Sequence, residues 1–214
     1  NLDVMYGLPG QSPTTVTETA QKVLTLNPAR ISLFSYAHVP AMKPYQKKLE
    51  TAGLPDDLTR LAEESAARRV FAEAGYEQIG IDHFAKPDDP LSRAMQAGQL
   101  QRNFQGYTDD PSPIMVGLGA SSISDVGSAY VQNEPDLEAY QRRILAGELP
   151  IRRICPRSAE DNLRGAIISE LMCNFAVDLE KFTDRPEQFA PALAALTPYV
   201  AGGLVKRDGY RIEV

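Results

Sequence analysis

The sequence predicts an α/β fold: an incomplete TIM-like (β/α) barrel, followed by a small helical module with a hairpin. Three observations predict it. Over residues 1–150, short apolar runs alternate with amphipathic helical stretches, the rhythm of parallel strand–helix–strand units. Around Pro150 and Pro156 the character changes, and residues 151–214 read as helices ending in a winged-helix-like hairpin. Three strand–helix units are too few to close a barrel, so the sheet is expected to be incomplete.

The elements justify this in order. Leu2–Tyr6 is a short apolar strand with Asp3 embedded in it, and Gly7-Leu8-Pro9-Gly10 turns the chain. Ser12 caps a helix with Pro13 at its first position, where the missing N–H costs nothing. Val16, Ala20, Val23 and Leu24 share one face of that helix, and Asn27-Pro28 ends it. Arg30–Tyr36 is the next strand. Residues 38–54, with Pro40 and Pro44, read as irregular; Lys43, Lys47 and Lys48 form a local basic patch, either a solvated face or an attraction for an acidic substrate. A helix over about 56–74 ends at Gly75, and Tyr76–Ile81 is expected to be the third strand. Asp89-Pro90 opens a short helix stopping near Gly98. Residues 135–146 are helical, with Gly147 as the stop. Ser158-Ala159-Glu160-Asp161 resembles a capping box, with Asp in place of the usual Glu or Gln. A further helix is expected over about 187–197, and Asp208-Gly209 between apolar positions signals a hairpin.

Composition narrows the function classes. The 214 residues are 43% hydrophobic and 23% charged, an ordinary globular balance. A net charge of −6 argues against a binder of nucleic-acid phosphates. No run of ~18 apolar residues spans a membrane, and no signal peptide is visible. Cys155 and Cys173 are too few for a disulfide framework, a structural zinc or a cluster, so a reducing, cytoplasmic setting and no metal ligands within the chain are expected. The abrupt ends lead us to expect a piece of a longer protein.

Three polar-aromatic or glycine-rich stretches carry the candidate chemistry: Ile81-Asp82-His83-Phe84-Ala85, Asn103-Phe104-Gln105-Gly106-Tyr107-Thr108, and Gly117-Leu118-Gly119-Ala120-Ser121-Ser122-Ile123-Ser124. All three read as loop or strand-end, where a rigid scaffold usually carries its binding groups. Asp3 could accept hydrogen bonds from ribose hydroxyls or an amine, or be satisfied by donors nearby. His38 could act as a base or a donor, or be structural. Asp82 and His83 could pair and fix a tautomer. Gln105, between two aromatics, suits a flat ligand with polar edges, or else ties a loop. Gly117 and Gly119 permit close backbone approach to a ligand, but they do not form a dinucleotide fingerprint. Ile123 could line an apolar wall or be plain core.

Taken together, Asn1-Leu2-Asp3-Val4-Met5-Tyr6-Gly7-Leu8-Pro9, Phe34-Ser35-Tyr36-Ala37-His38, the 81–85 and 103–108 stretches, Gly117-Leu118-Gly119 and Leu171-Met172-Cys173-Asn174-Phe175 resemble the oxygen-independent coproporphyrinogen III oxidases, radical S-adenosylmethionine enzymes of haem biosynthesis. The resemblance covers essentially the whole chain, although the family's Cys-x-x-x-Cys-x-x-Cys loop and Gly-Gly-Thr-Pro motif are absent. Asn-Phe-Gln-Gly-Tyr-Thr after Asp-His-Phe-Ala is its specific part. The nearest sister, a haem-chaperone-like radical S-adenosylmethionine protein, typically carries Ser-Asn-Phe-Ala and His-Asn-Leu, which do not occur here. A non-catalytic porphyrin-binding module is the reading from another class.

The resemblance implies two S-adenosylmethionine molecules per site and a 4Fe-4S cluster whose ligands lie outside this chain. Asp3 and Ala37 match positions contacting the second S-adenosylmethionine, and Ile123 matches one contacting the first. Gln105 matches a polar residue at the substrate, the candidate catalytic position. The implied reaction takes a hydrogen from propionate side chains of coproporphyrinogen III by a 5′-deoxyadenosyl radical. Carbon dioxide leaves, vinyl groups form, and protoporphyrinogen IX results. The electron donor and acceptor stay unidentified, and the full-length enzyme is expected to be a monomer.

Overall fold

The computed structural model describes all of residues 1–214. They form two compact units, Asn1–Leu100 and Gln101–Val214.

In the first unit, β1 (Leu2–Tyr6) and β2 (Arg30–Ser35) run parallel, with Asp3 opposite Ser32. The crossover between them is α1 (Pro13–Thr25), which begins where the sequence placed it. The Ser12 hydroxyl accepts the Thr15 N–H, and the Thr15 hydroxyl accepts the Ser12 N–H. Residues 38–54 are less irregular than expected: a 3-10 turn at Pro44–Gln46 leads into α2 (Lys47–Thr51), with Pro44 at the first position of the turn. The next helix, α3 (Asp57–Glu73), is capped by Asp56, whose carboxylate accepts the Thr59 N–H at 2.8 Å.

The third strand differs from expectation. Tyr76–Ile81 is not one parallel strand but β3 (Glu77–Ile79), a reversal at Gly80 (φ 56°), and β4 (His83–Ala85). The pairings β3·β4 and β4·β2 are both antiparallel, giving the order β1-β2-β4-β3. A three-residue link allows a hairpin, whereas a parallel neighbour needs a crossover of a dozen residues or more. This register also pairs Phe84 with Ile31 and buries both. The unit ends with α4 (Pro90–Gln96), whose cap Asp89 also accepts both hydrogen bonds of the Arg30 Nε at 2.9 Å.

The two sheet faces are unlike. Val4, Tyr6, Ile31, Leu33 and Phe84 join Val16 and Ala20 of α1 and Ala67 and Phe71 of α3 in one core. Strand alternation sends Asp3, Met5, Ser32, Phe34 and His83 to the opposite face.

In the second unit, β5 (Gln101–Asn103) and β6 (Gly106–Thr108) form a tight hairpin with Asn103 opposite Gly106. An antiparallel meander follows: β7 (Ile123–Asp125), β8 (Ala129–Asn133) and, after α5 (Leu137–Leu145), β9 (Ile151–Pro156). Thus a strand runs between Pro150 and Pro156, where the sequence was expected to mark a boundary. The capping box predicted at Ser158–Asp161 opens α6 (Ala159–Asn174), and Phe175 ends it in a left-handed conformation (φ 54°). Next come β10 (Ala176–Asp178) and a 3-10 turn at Pro186–Phe189. The helix expected over 187–197 is broken into α7 (Ala190–Ala195) and α8 (Thr197–Ala201), because Pro191 and Pro198 each fit only a first helical turn. The predicted hairpin is β11 (Lys206–Asp208) and β12 (Arg211–Glu213), with β10 on its other side. Val177, Leu179, Phe189, Leu193 and Ile212 form the core here, with Leu163, Ile167 and Leu171 of α6 packed on it. None of the four sheets closes on itself.

Candidate functional site

In the first unit, Asp3 and His83 occupy the sheet face turned away from the helices. Asp3, Ser32 and His83 are register partners across β1, β2 and β4, which puts them in one row. Asp3 is exposed, and it is the second residue of its strand instead of lying at the C-terminal end. Its Oδ1 accepts from the Asn1 side chain at 2.7 Å. Its Oδ2 carries no hydrogen bond from the protein, so a charged acceptor is left facing outward. His83 Nδ1 meets Asp82 Oδ1 at 2.7 Å, and Phe34 stands edge-on to the ring at 6.0 Å. The expected Asp82–His83 pair therefore exists and orients the imidazole.

Ala37 lies beyond the C-terminal end of β2, away from the level of Asp3. A side chain that sequence reasoning missed holds it. Gln46 is only 7% exposed; its Nε2 donates to the Ala37 carbonyl at 3.1 Å, and its Oε1 accepts the Val39 N–H at 2.7 Å. One amide thus fixes both sides of residue 38, leaving the Ala37 N–H without a protein partner. His38 is tied down as well, with Nε2 at 2.9 Å from Glu50 Oε1 and Nδ1 at 3.5 Å from the Tyr36 hydroxyl.

A second missed residue is Glu63 of α3, which is fully buried. Its Oε2 accepts the Gly7 N–H at 2.9 Å, while its Oε1 has no partner. Gly7 adopts φ +85°, and a Cβ there would stand 3.2 Å from the Arg60 side chain, so the turn after β1 requires glycine. The sequence held one signal for Glu63: it is in phase with Ala67, Val70 and Phe71 on the apolar face of its helix.

In the second unit, Gln105 stands exposed at the turn of the β5–β6 hairpin, its N–H donated to Asn103 Oδ1 at 2.8 Å. The two flanking aromatics part company. Tyr107 is buried and its hydroxyl donates to the Met172 carbonyl of α6 at 3.0 Å. Phe104 is 55% exposed and meets Tyr130 edge-on at 4.9 Å. Ile123 is half-buried at the start of β7, opposite Gln132.

The close approach at Gly117 is made within the chain. A Cβ there would lie 2.9 Å from both the Ile123 carbonyl oxygen and the Ser122 Cβ. The loop is stapled by buried Asn133, whose Nδ2 donates to the Gly117 carbonyl at 3.1 Å and the Gly119 carbonyl at 3.0 Å. Of the two cysteines, Cys155 is exposed on β9 and Cys173 is buried in α6. Burial pushes the Cys173 thiol pKa up, which keeps it protonated. No group of three or more His, Cys, Asp or Glu side chains could hold a metal ion.

The family model described as "HemN C-terminal domain" matches residues 158–214. The whole chain is 44% identical to an oxygen-independent coproporphyrinogen III oxidase of Paracoccus denitrificans, covering 48% of that protein. It is 40% identical to the oxidase of the same name from Thermostichus vulcanus, covering all of this chain and 68% of that one. Coproporphyrinogen III oxidase (HemN) from Escherichia coli, described as a radical SAM enzyme, superposes with a TM-score of 0.90 at 36% identity, over 99% of this chain and 50% of its own. The chain spans about half the length of most of the curated relatives it matches. With its full length aligned to these proteins, and two thirds of one of them covered, the chain belongs to the oxygen-independent coproporphyrinogen III oxidase family.

Proposed function

We infer that this chain is the substrate-side half of an oxygen-independent oxidase that decarboxylates two propionates of coproporphyrinogen III to vinyls, giving protoporphyrinogen IX. The observation that carries the reading is similarity over the entire chain. In this reading residues 1–150 contribute to the catalytic barrel, and residues 151–214 form the C-terminal domain.

The residues fit S-adenosylmethionine. Asp3 presents an unpartnered carboxylate oxygen to a hydroxyl or ammonium donor, through a charge-assisted hydrogen bond. Ala37 offers a free N–H on a backbone that Gln46 keeps in place. Ile123 supplies an apolar contact for the other S-adenosylmethionine, and the exposed amide of Gln105 bonds the substrate. When bound, S-adenosylmethionine supplies the hydrogen abstraction from the propionate; this chain's own part is to bind, orient and exclude side reactions. The residues do not fit the 4Fe-4S cluster, because two cysteines, one of them buried and protonated, cannot supply its thiolates. Those ligands belong outside this chain.

The test is anaerobic turnover by the full-length protein with S-adenosylmethionine, a low-potential reductant and coproporphyrinogen III. Protoporphyrin detected by fluorescence after oxidation, together with carbon dioxide release, is the expected result. Tight porphyrin binding without decarboxylation would favour the haem-chaperone or binding-module readings.

A further inference from the structure

We propose that a cleft in the second unit, between the β5–β6 hairpin and α6, binds one carboxyalkyl-bearing pyrrole ring of the substrate, with Arg102 taking the carboxylate. The proposal rests on the oxidase reading for the identity of the ligand. The cleft has a volume of about 290 Å³. Pockets for whole small molecules run from ~300 to ~1,000 Å³, so this one suits a single ring and its arm, not a whole tetrapyrrole.

Its walls are apolar and aromatic: Phe104 and Tyr130, locked edge to face, and Ile168 and Met172 from α6. Phe104 is 55% and Ile168 59% exposed, an unusual outlay of large apolar side chains around one concavity. Their exposure is accounted for if a flat apolar ring covers them.

The electrostatics favour an anion at one end. Asp125 also lines the cleft, but Arg157 neutralises it through two hydrogen bonds of 2.9 and 3.3 Å. Arg157 also donates to the Tyr130 hydroxyl at 2.9 Å and lies over its ring at 4.6 Å, so its charge is consumed within the wall. Arg102 is the contrast. It is exposed, lines the cleft, and lies over the Tyr107 ring at 5.5 Å with no carboxylate in ion-pair range. The buried Tyr107, bonded to the Met172 carbonyl, gives that guanidinium a fixed platform. A planar fork held ready above an apolar slot matches a bidentate carboxylate on a ring. Arg102 was not among the residues that sequence reasoning picked out, since an arginine in a short polar strand looks like surface.

The experiment titrates full-length protein with coproporphyrin III, the stable oxidised tetra-acid, and with its uncharged tetra-amide, by porphyrin fluorescence. Arg102→Gln should weaken the tetra-acid roughly tenfold or more and leave the tetra-amide unchanged. Arg102→Lys should fall between. Phe104→Ala should weaken both ligands. Melting temperatures equal to the unaltered protein's show that each variant folds. Absence of porphyrin binding by the unaltered protein overturns the proposal, as does tetra-acid affinity unchanged in both Arg102→Gln and Phe104→Ala. An effect of Phe104→Ala alone overturns the carboxylate assignment. Turnover of the unaltered protein separates the two readings: no turnover with Arg102-dependent binding fails the oxidase reading and leaves the cleft standing. Normal turnover and binding in both variants fails the cleft and leaves the oxidase.

Discussion

At the scale of single residues, the groups proposed to face a ligand differ from the groups that hold the chain in place. Asp3 and Gln105 belong to the first kind: each is exposed, and each keeps polar atoms unspent. In the full-length protein, Asp3→Asn keeps the shape and removes the charge. It should cost ~1.5–3 kcal/mol of S-adenosylmethionine binding, roughly ten- to a hundredfold. Gln105→Leu should spare that binding and cut porphyrinogen turnover. Separate titrations of the two ligands, with melting temperatures matched, check both; normal binding and turnover in both variants would remove these residues from the site. Glu63 belongs to the second kind. Replacing it by Leu orphans the buried Gly7 N–H and should cost about 1–3 kcal/mol of stability, whereas Gln keeps an oxygen there and should cost less. Equal denaturation midpoints for Leu and Gln would show that the hydrogen bond to Gly7 does not anchor the turn. Neither Glu63 nor Gln46 was legible as functional in the sequence, because each acts through a partner 56 or 7–9 residues away. Asp82 and His83 were legible because their pairing is between neighbours.

At the scale of elements, the same distinction decides what sequence could foresee. The starts of α1, α4 and α6 were readable because caps are local: Ser12-Pro13, Asp89-Pro90 and Ser158 with Asp161 each satisfy donors within the first turn. The strands β9 and β10 were not, since one is exposed along most of its length and the other is three residues long, and their partners are distant in sequence. The cap of α6 also predicts a pH dependence. The Asp161 carboxyl lies below its usual value, chiefly because it accepts the Ser158 N–H and then the Ser158 hydroxyl. A depressed folded pKa gives stability that is full above the unfolded value and lost as pH falls through the folded one. Asp161→Asn should therefore melt with a flatter acid limb below about pH 4 than the unaltered chain; identical acid limbs would show that this carboxylate contributes nothing. Strand β1 carries a different liability. It is the end strand of its sheet, so its second edge is unpaired. Exposed edges template pairing with another chain, and this chain by itself should dimerise through residues 2–6 as its concentration rises. Light scattering that shows a clean monomer at high concentration would count against it.

At the scale of the whole molecule, two compact units each bring their own core and their own candidate surface, yet neither brings the reagent. The chemistry assigned to this family needs thiolates at a cluster, and the thiolate, not the thiol, is the ligand. Cys173 is held as a thiol by burial within α6, and Cys155 stands exposed on β9 with no second accessible thiol in the chain. On the proposed function, binding groups and cluster ligands are carried by different stretches of the full-length protein. The consequence is measurable. This chain, reconstituted anaerobically with iron and sulfide, should show no stoichiometric cluster absorbance and no decarboxylation. It should still take up coproporphyrin III through the Arg102 cleft, because every residue of that cleft lies within Gln101–Val214. Adding the remaining part of the full-length protein as a second chain should restore the cluster without altering Arg102. A stoichiometric cluster with turnover in this chain alone would break the division of labour, since it would place the thiolate ligands among residues that the structure shows to be one buried and one solitary.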